Sequence, residues 1–337
     1  MRQSSARKLA VVAVGGNSLI VDDEHIAIPC QSKAAAETAH YIADIVQAGW
    51  DVVVTHGNGP QVGFILRRVE LGIHEVPPIP MNYATSNTQG SIGYMFQRSL
   101  RNEFRRRRVD REVATLVSET LVDRADPAFD DPVKPIGPHL DEATARQRAA
   151  EQGWVVKEDA GRGWRRVVPS PRPEAILELG LIRQLLAEGT IVVACGGGGI
   201  PVFENEAGDL QGIEAVIDKD LVSSLLAQQL GADLLLISTA VERVAIHFNQ
   251  PQQQWLDRMT LSEARRYHAE GHFLAGSMGP KIRSMIDFIA ATGGNGIITD
   301  PTHLVSALAG EAGTWVVPDP AQASRSSAAA GELGAQG

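Results

Sequence analysis

The sequence is short of several things, and each shortage removes a class of function. Two cysteines, Cys30 and Cys195, in 337 residues give neither a disulfide framework nor a metal-ligand spacing, which suits a reducing cytosol. No apolar run approaches the length of a membrane span. The apolar stretch 9–14 follows a basic start but runs into Gly15-Gly16-Asn17 without a secretory cleavage pattern. Positive charge is in deficit: 31 Lys and Arg face 40 Asp and Glu, for a net charge of −9. That balance argues against general nucleic-acid binding, and the one basic run, Arg105 to Arg108, reads as the solvated end of a helix. Internal repeats are absent. These features lead to the expectation of a cytoplasmic protein with neither nucleic-acid nor membrane partners.

Lysine is scarce as well. Only six of the 31 basic residues are lysine, against 25 arginines. A chain that uses the planar arginine fork almost everywhere keeps lysine where a compact point charge on a slim stem is needed. Lys8 and Lys33 lie near the N-terminus. The other four stand in short motifs: Lys134 in Val133-Lys134-Pro135-Ile136-Gly137-Pro138, Lys157 in Val156-Lys157-Glu158-Asp159-Ala160-Gly161-Arg162-Gly163, Lys219 in Ile217-Asp218-Lys219-Asp220, and Lys281 in Met278-Gly279-Pro280-Lys281. The residues alone favour Lys219 and Lys281 as phosphate-handling groups and say much less about Lys134 and Lys157.

What is present is an α/β pattern with 44% apolar residues, enough for a sizeable core. The runs 9–14, 52–55, 113–117, 191–195, 234–237 and 297–299 read as short buried strands. Helical patterns fall at 33–48, 61–71, 91–106, 175–188, 221–230 and 281–291. This alternation predicts a mainly parallel sheet with helices on both faces, whose ligands sit at the carboxyl ends of the strands. Glycine clusters fall at those ends: Gly15-Gly16-Asn17, His56-Gly57-Asn58-Gly59, and Gly196 to Gly199. Between 123 and 166 prolines, acidic clusters and Gly161-Arg162-Gly163 break the rhythm. Trp154 and Trp164 oppose disorder there, so a small inserted subdomain is expected. The tail at 320–337, rich in Ala, Ser and Gly, is expected to be disordered.

Consecutive glycines allow backbone conformations in which successive amides converge on one anion, although a lone Gly-Gly-Asn reads more plainly as a tight turn. Two standard phosphate motifs are missing: Gly-x-x-x-x-Gly-Lys-Ser/Thr, and a glycine-rich turn that opens a dinucleotide-binding helix. Asp218-Lys219-Asp220 precedes an apolar helix and so occupies a helix N-terminus, where anions are favoured. For Asp220 simple capping is the plainer reading. Phosphoryl transfer needs alignment and positive charge more than covalent help, and two lysines, glycine amides and Mg²⁺ would supply both.

These residues resemble carbamate kinase, of the amino acid kinase superfamily, over 8–318. The similarity rests on Val14-Gly15-Gly16-Asn17, Val54-Thr55-His56-Gly57-Asn58-Gly59-Pro60-Gln61-Val62-Gly63, Gln89-Gly90 with Gly93-Tyr94, and Lys134-Pro135-Ile136-Gly137-Pro138. It continues in Lys157 to Gly163, Val168-Pro169-Ser170-Pro171, Gly196 to Val202, Glu214 to Asp220, and Gly276 to Lys281. The resemblance implies the amino acid kinase fold, a three-layer αβα sandwich around a mainly parallel open sheet, with the insertion at 123–166 as a protruding subdomain or lid. It implies reversible phosphoryl transfer between ATP and carbamate, forming ATP from carbamoyl phosphate and ADP, with Mg²⁺ and a homodimer.

By the same resemblance Gly15, Gly16, Asn17, Gly57 and Asn58 face carbamoyl phosphate. Gly196, Gly197, Gly198, Gly199, Met278 and Gly279 lie on the nucleotide and phosphate side. Lys219 and Lys281 neutralise the transferring phosphoryl group, Asp218 orients Lys219, and Lys134 reaches in from the insertion. No protein metal ligand is assigned. The chain departs from the family pattern at Ala240 and Glu242, where Thr-Asp-Val-Asp is usual, at Asn82 within Pro-Leu-Asp, and at His247 in the segment usually Asn-Phe-Gly-x-Pro. The losses of a carboxylate at Ala240 and Asn82 bear on nucleotide affinity and substrate choice. Two alternatives stand beside this reading: a kinase of another small acid, and a nucleotide- or carbamoyl-phosphate-binding regulator without turnover.

Overall fold

The computed structural model describes residues 7–320 except 17, 18, 21, 23, 160–162 and 275. Asn17, Gly161 and, beyond Pro320, the expected tail therefore lie outside the described residues. The main sheet has eight strands in the order Arg258–Thr260, Thr314–Val317, Asn295–Thr299, Leu234–Ser238, Leu9–Val14, Asp51–His56, Ile191–Val193, Val113–Thr115. All neighbours are parallel except Asn295–Thr299 with Thr314–Val317. Continuous apolar runs such as Leu-Ala-Val-Val-Ala-Val suit strands covered on both faces. Along Leu9–Val14, Val11 and Ala13 pack into one core with residues of helices Lys219–Leu230 and Met278–Thr292. Ala10, Val12 and Val14 pack into a second core with helices Ile28–Gln47 and Met81–Arg107. Strand alternation thus builds the three layers.

Register fixes where the functional loops leave the sheet. Val14 pairs with both His56 and Ser238, and Ser238 pairs with Thr299. Gly15, Gly57 and Thr239 therefore emerge side by side at the carboxyl edge.

Two smaller sheets flank this edge. One has the order Leu210–Gly212, Ile200–Glu204, Glu119–Val122, Pro173–Ile176. The other, antiparallel, sets Trp164–Val168 between Lys134–Leu140 and Val155–Glu158, with helix Glu142–Gln152 against it. This unit, called the lid below, sits on the main body through a small core of Met81, Ile136, Val168 and Val216 with Leu66. Beside that core the backbones touch: a β-carbon on Gly63, in helix Gly59–Gly72, would lie 2.7 Å from Gly137 Cα.

Three elements differ from expectation. Helix Ile28–Gln47 starts before residue 33, with Pro29 in its first turn, where a missing N–H costs nothing. Helix Met81–Arg107 starts ten residues before 91. The pattern at 175–188 resolves into strand Pro173–Ile176 and then helix Leu179–Ala187, because the first part pairs with Glu119–Val122. Among the described residues no helix is long and apolar enough to cross a membrane.

Candidate active site

A cavity of about 450 Å³ opens at the carboxyl edge of the main sheet. Three helices point their N-termini at it: Gly59–Gly72, Lys219–Leu230 and Met278–Thr292. The first and third lack a side-chain cap, which leaves first-turn amides and the positive ends of the dipoles for an anion.

The charged groups form one connected set. Asp218 is the N-cap of helix Lys219–Leu230: its Oδ1 accepts a hydrogen bond from Asp220 N at 2.8 Å. Its Oδ2 accepts one from Lys134 Nζ of the lid at 2.5 Å. Asp220 turns inward and is buried, with Oδ1 2.7 Å from Lys219 Nζ and Oδ2 accepting a hydrogen bond from Lys281 Nζ at 2.8 Å. Lys219 Nζ is buried and its close contact is with this carboxylate. The expected roles of the two aspartates are therefore corrected. Asp218 caps the helix and holds Lys134, whereas Asp220, read from sequence as a cap, is the carboxylate in contact with Lys219.

Burial is the largest influence on all three buried members. It pushes the Lys219 ammonium down from the ordinary lysine value; Asp220 opposes this and the nearby Lys281 charge adds to it. Burial also works against the Lys281 ammonium, but the charge and hydrogen bond of Asp220, with Asp218 contributing, outweigh it and leave its pKa raised. Burial alone would raise Asp220; its two ammonium neighbours hold it well below the usual carboxylate range instead.

Of the other residues singled out in the sequence, Gly15, Gly16, Gly57, Asn58, Gly197 and Met278 line the cavity. Asn58 is buried and donates from Nδ2 to Thr88 Oγ1 at 2.9 Å. Gly196, Gly198, Gly199 and Gly279 do not line it. The four-glycine run is a buried turn, not an open cradle of amides: Cys195, Gly197, Gly198 and Gly199 all have positive φ, and β-carbons there would strike His56, Asn58, Ile217 and Thr120. Gln89 braces this turn, donating from Nε2 to the carbonyls of Gly196 and Ser118 at 3.0 Å each. Lys157 stays outside, paired with Asp131 at 2.6 Å on the surface.

His56 lies beneath the turn, buried and stacked on Phe96 with ring centroids 6.2 Å apart. Its Nδ1 is 3.1 Å from Gly57 O and so carries the proton in the neutral ring. Burial, assisted by the Lys219 charge and opposed by that hydrogen bond, pushes its pKa down to about 4. A neutral ring packed this way supports the turn.

The far end of the cavity is apolar and aromatic, with Ala240, Ala245, Phe248, Trp255 and Leu274, and with Arg243 and His272 at its border. Sequence reading did not find Arg243, Trp255 or His272. Of the departures, Ala240 lines the cavity, and His247 packs edge-on against His272, centroids 4.3 Å apart. Glu242 lies 3.3 Å from Arg243. Asn82 does not line the cavity and lies against Gly212 of the second sheet. Among the described residues no group of three His, Cys, Asp or Glu could hold a metal ion.

The sequence profile of the amino acid kinase family matches residues 8–300. The carbamate kinase of Pyrococcus horikoshii is 48% identical over 91% of this chain and 98% of its own length. A carbamate kinase-like protein of Escherichia coli, YahI, is 44% identical over 92% of this chain and 99% of its own. Among solved structures, the carbamate kinase from Giardia lamblia bound to AMP-PNP superposes with a TM-score of 0.86 at 42% identity, covering 93% of this chain and 99% of that one. The chain belongs to the amino acid kinase family, within its carbamate kinase branch.

Proposed function

We propose that the protein catalyses reversible phosphoryl transfer between ATP and carbamate, running from carbamoyl phosphate and ADP to ATP and carbamate. The observation that carries this is the charge set: ammoniums of Lys134, Lys219 and Lys281 converge on one cavity, held by Asp218 and Asp220. These two are the only carboxylates lining the cavity among the described residues. Both are engaged by lysines, so neither is free to act as a general base. A transfer between acyl-phosphate and diphosphate oxygens needs none. An ADP oxygen, already anionic, forms the new P–O bond, and carbamate leaves as an anion with the electron pair of the broken one.

The protein's part is then alignment and charge. Lys219 and Lys281 offset the charge on the migrating group, and Asp220 positions both. The backbone at Gly15, Gly16, Gly57 and Asn58 lines the carbamoyl phosphate end. Gly15 and Gly57 spend their N–H groups on Ser238 O and Val14 O, so the amides of Gly16 and Asn58 are the ones that hold the substrate. The aromatic end with Phe248 and Trp255 receives the nucleotide. The lid brings Lys134 over the site and excludes water from a labile substrate. The residues present suit an Mg²⁺ ion that arrives on the nucleotide rather than one caged by side chains. Bound to the nucleotide's phosphate oxygens, it would offset their charge.

The proposal extends to a homodimer. The main sheet ends at Val113–Thr115, Gly93 packs on Thr115, and Tyr94 and Val117, next to these residues in sequence, are exposed. Light scattering at assay concentration checks this assembly.

The activity is tested by following ATP formation from ADP and carbamoyl phosphate with and without Mg²⁺, with acetyl phosphate in parallel. Turnover with acetyl phosphate alone would transfer the proposal to another acid. Binding of ADP without turnover on either would make the protein a regulator.

A further inference from the structure

A second cavity, of about 220 Å³, lies between helix Gly59–Gly72 and the lid. Its charged lining is unbalanced, with Arg67, Arg148 and Arg166 against the single carboxylate of Glu70. Arg67 and Glu70 belong to the main body, Arg148 and Arg166 to the lid. Glu70 Oε2 accepts a hydrogen bond from Arg67 Nη1 at 2.7 Å and lies 3.3 Å from Arg148 Nη1. One carboxylate is thus shared by two guanidiniums across the gap.

Arg166 has no such partner. Among the described residues its side chain makes no hydrogen bond or ion pair; its guanidinium lies 4.8 Å from the Trp154 ring centroid, and that of Arg148 lies 5.6 Å from the same ring. Burial, its largest influence, lowers its pKa against the charges of Glu214 and Glu70. A stacked, partly desolvated fork facing a cavity suits bidentate recognition of an oxyanion. The volume suits a phosphate-sized ion or a short dicarboxylate, and the three guanidiniums outnumber the carboxylates acting on them, Glu70 in the lining and Glu214 on Arg166, so the cavity stays net positive.

We propose that this cavity binds a small dianion, its charge on phosphoryl or carboxylate oxygens, gripped by Arg67 from the main body and by Arg166 and Arg148 from the lid. Such an ion clamps the lid. Arg166 pairs with Ile136 in the ladder where Val168 pairs with Lys134, so holding one end of that strand pair holds the strand that presents Lys134. The binding claim stands independently of the phosphoryl-transfer reading; its consequence for Lys134 rests on that reading.

The test is calorimetric titration of inorganic phosphate, and separately of succinate, into the full chain, with chloride at matched ionic strength as control. Wild type is compared with Arg67→Gln and Arg166→Gln. Neither residue lines the main cavity, so unchanged ADP binding certifies that each variant is folded. Arg67 is 48% exposed, which keeps its variant usable should the Arg166 one misfold. The expected result is saturable binding that weakens about tenfold or more in each variant, as loss of a charged hydrogen bond implies. Preference for phosphate or succinate identifies the source of the charge. Equal affinity in all three proteins would place any bound ion in the main cavity and overturn the proposal. Weakening by Arg166→Gln alone would put the ion on the lid and remove the clamp, and equal displacement by chloride would reduce the effect to screening.

Discussion

Asp220 stands between Lys219 and Lys281, with one carboxylate oxygen 2.7 Å from the first ammonium and the other 2.8 Å from the second. All three groups are buried or nearly so, and two like charges brought together out of water repel strongly unless something between them is negative. Asp220 therefore allows two lysines from different helices to stay charged in one small volume.

Asp220→Asn keeps the shape and removes the charge. Two ammoniums would then remain with burial and mutual repulsion, and Lys219, already lowered, would drop further. A fall in kcat of roughly 10²–10³ is expected, the size seen when a transition-state donor is lost. Activity should also fail at lower pH on the alkaline side than in wild type. Stability should suffer too, by about 3–5 kcal/mol for breaking a buried charge pair. An unchanged kcat with an unshifted alkaline limb would remove Asp220 from this role.

His56 carries a pH dependence of stability. Its folded pKa is about 4 against 6.5 for the free group, so the unfolded chain takes up a proton first as pH falls. The contribution is complete above pH 6.5 and is lost as pH drops toward 4. A shift of this size corresponds to about 3 kcal/mol. Denaturant midpoints between pH 7 and 5 measure it, and His56→Gln should flatten the slope in that window. An identical slope in the variant would mean that His56 is not the group responsible.

Much of the fold was legible because its signals are local. Strand Leu9–Val14 and the first four residues of Leu234–Ser238 are unbroken apolar runs, and parallel sheets buried on both faces require such runs. The early start of helix Met81–Arg107 was not legible. Asn82 to Thr88 are mostly weak helix formers, and the first turn is held by Glu214 Oε1 accepting from Met81 N, 133 positions away. The site divides in the same way. The glycine turns at Gly15-Gly16 and Gly57-Asn58 and the motifs of Lys219 and Lys281 lie on the cavity, whereas most of the four-glycine run and Lys157 do not. Which aspartate serves which lysine depends on Lys281, 61 positions from Asp220, and no local pattern encodes that. Lys134 came from resemblance, since nothing in its own segment announces that it meets Asp218, 84 positions on.

The seat of the lid is open to a minimal substitution. Gly63→Ala places a methyl group 2.7 Å from Gly137 Cα, and because that neighbour is backbone, the lid strand must move. Folding should survive, since Gly63 lies at the interface and not in either large core. Activity should fall and KM for carbamoyl phosphate rise, with the thermal midpoint changed by only a few degrees. Wild-type kinetics in Gly63→Ala would show that the lid is not required in this position.

Lys134 ties the lid to the charged set of the cavity, because its ammonium meets the same Asp218 that caps helix Lys219–Leu230. If ligand draws Lys134 into the site, the lid sheet should tighten when the cavity fills. Amide exchange across 134–158 and 164–168 should then slow in the presence of ADP and a non-hydrolysable carbamoyl phosphate analogue, while the main sheet, buried in both states, changes little. Lys134→Met removes the charge and keeps the length, so it should lower kcat and abolish the ligand-induced slowing without disturbing ADP binding. The two measurements constrain each other. Equal exchange with and without ligand, together with a normal kcat in Lys134→Met, would leave the unit a rigid decoration. Slowed exchange with a normal kcat would keep the lid as a water shield and remove Lys134 from charge stabilisation.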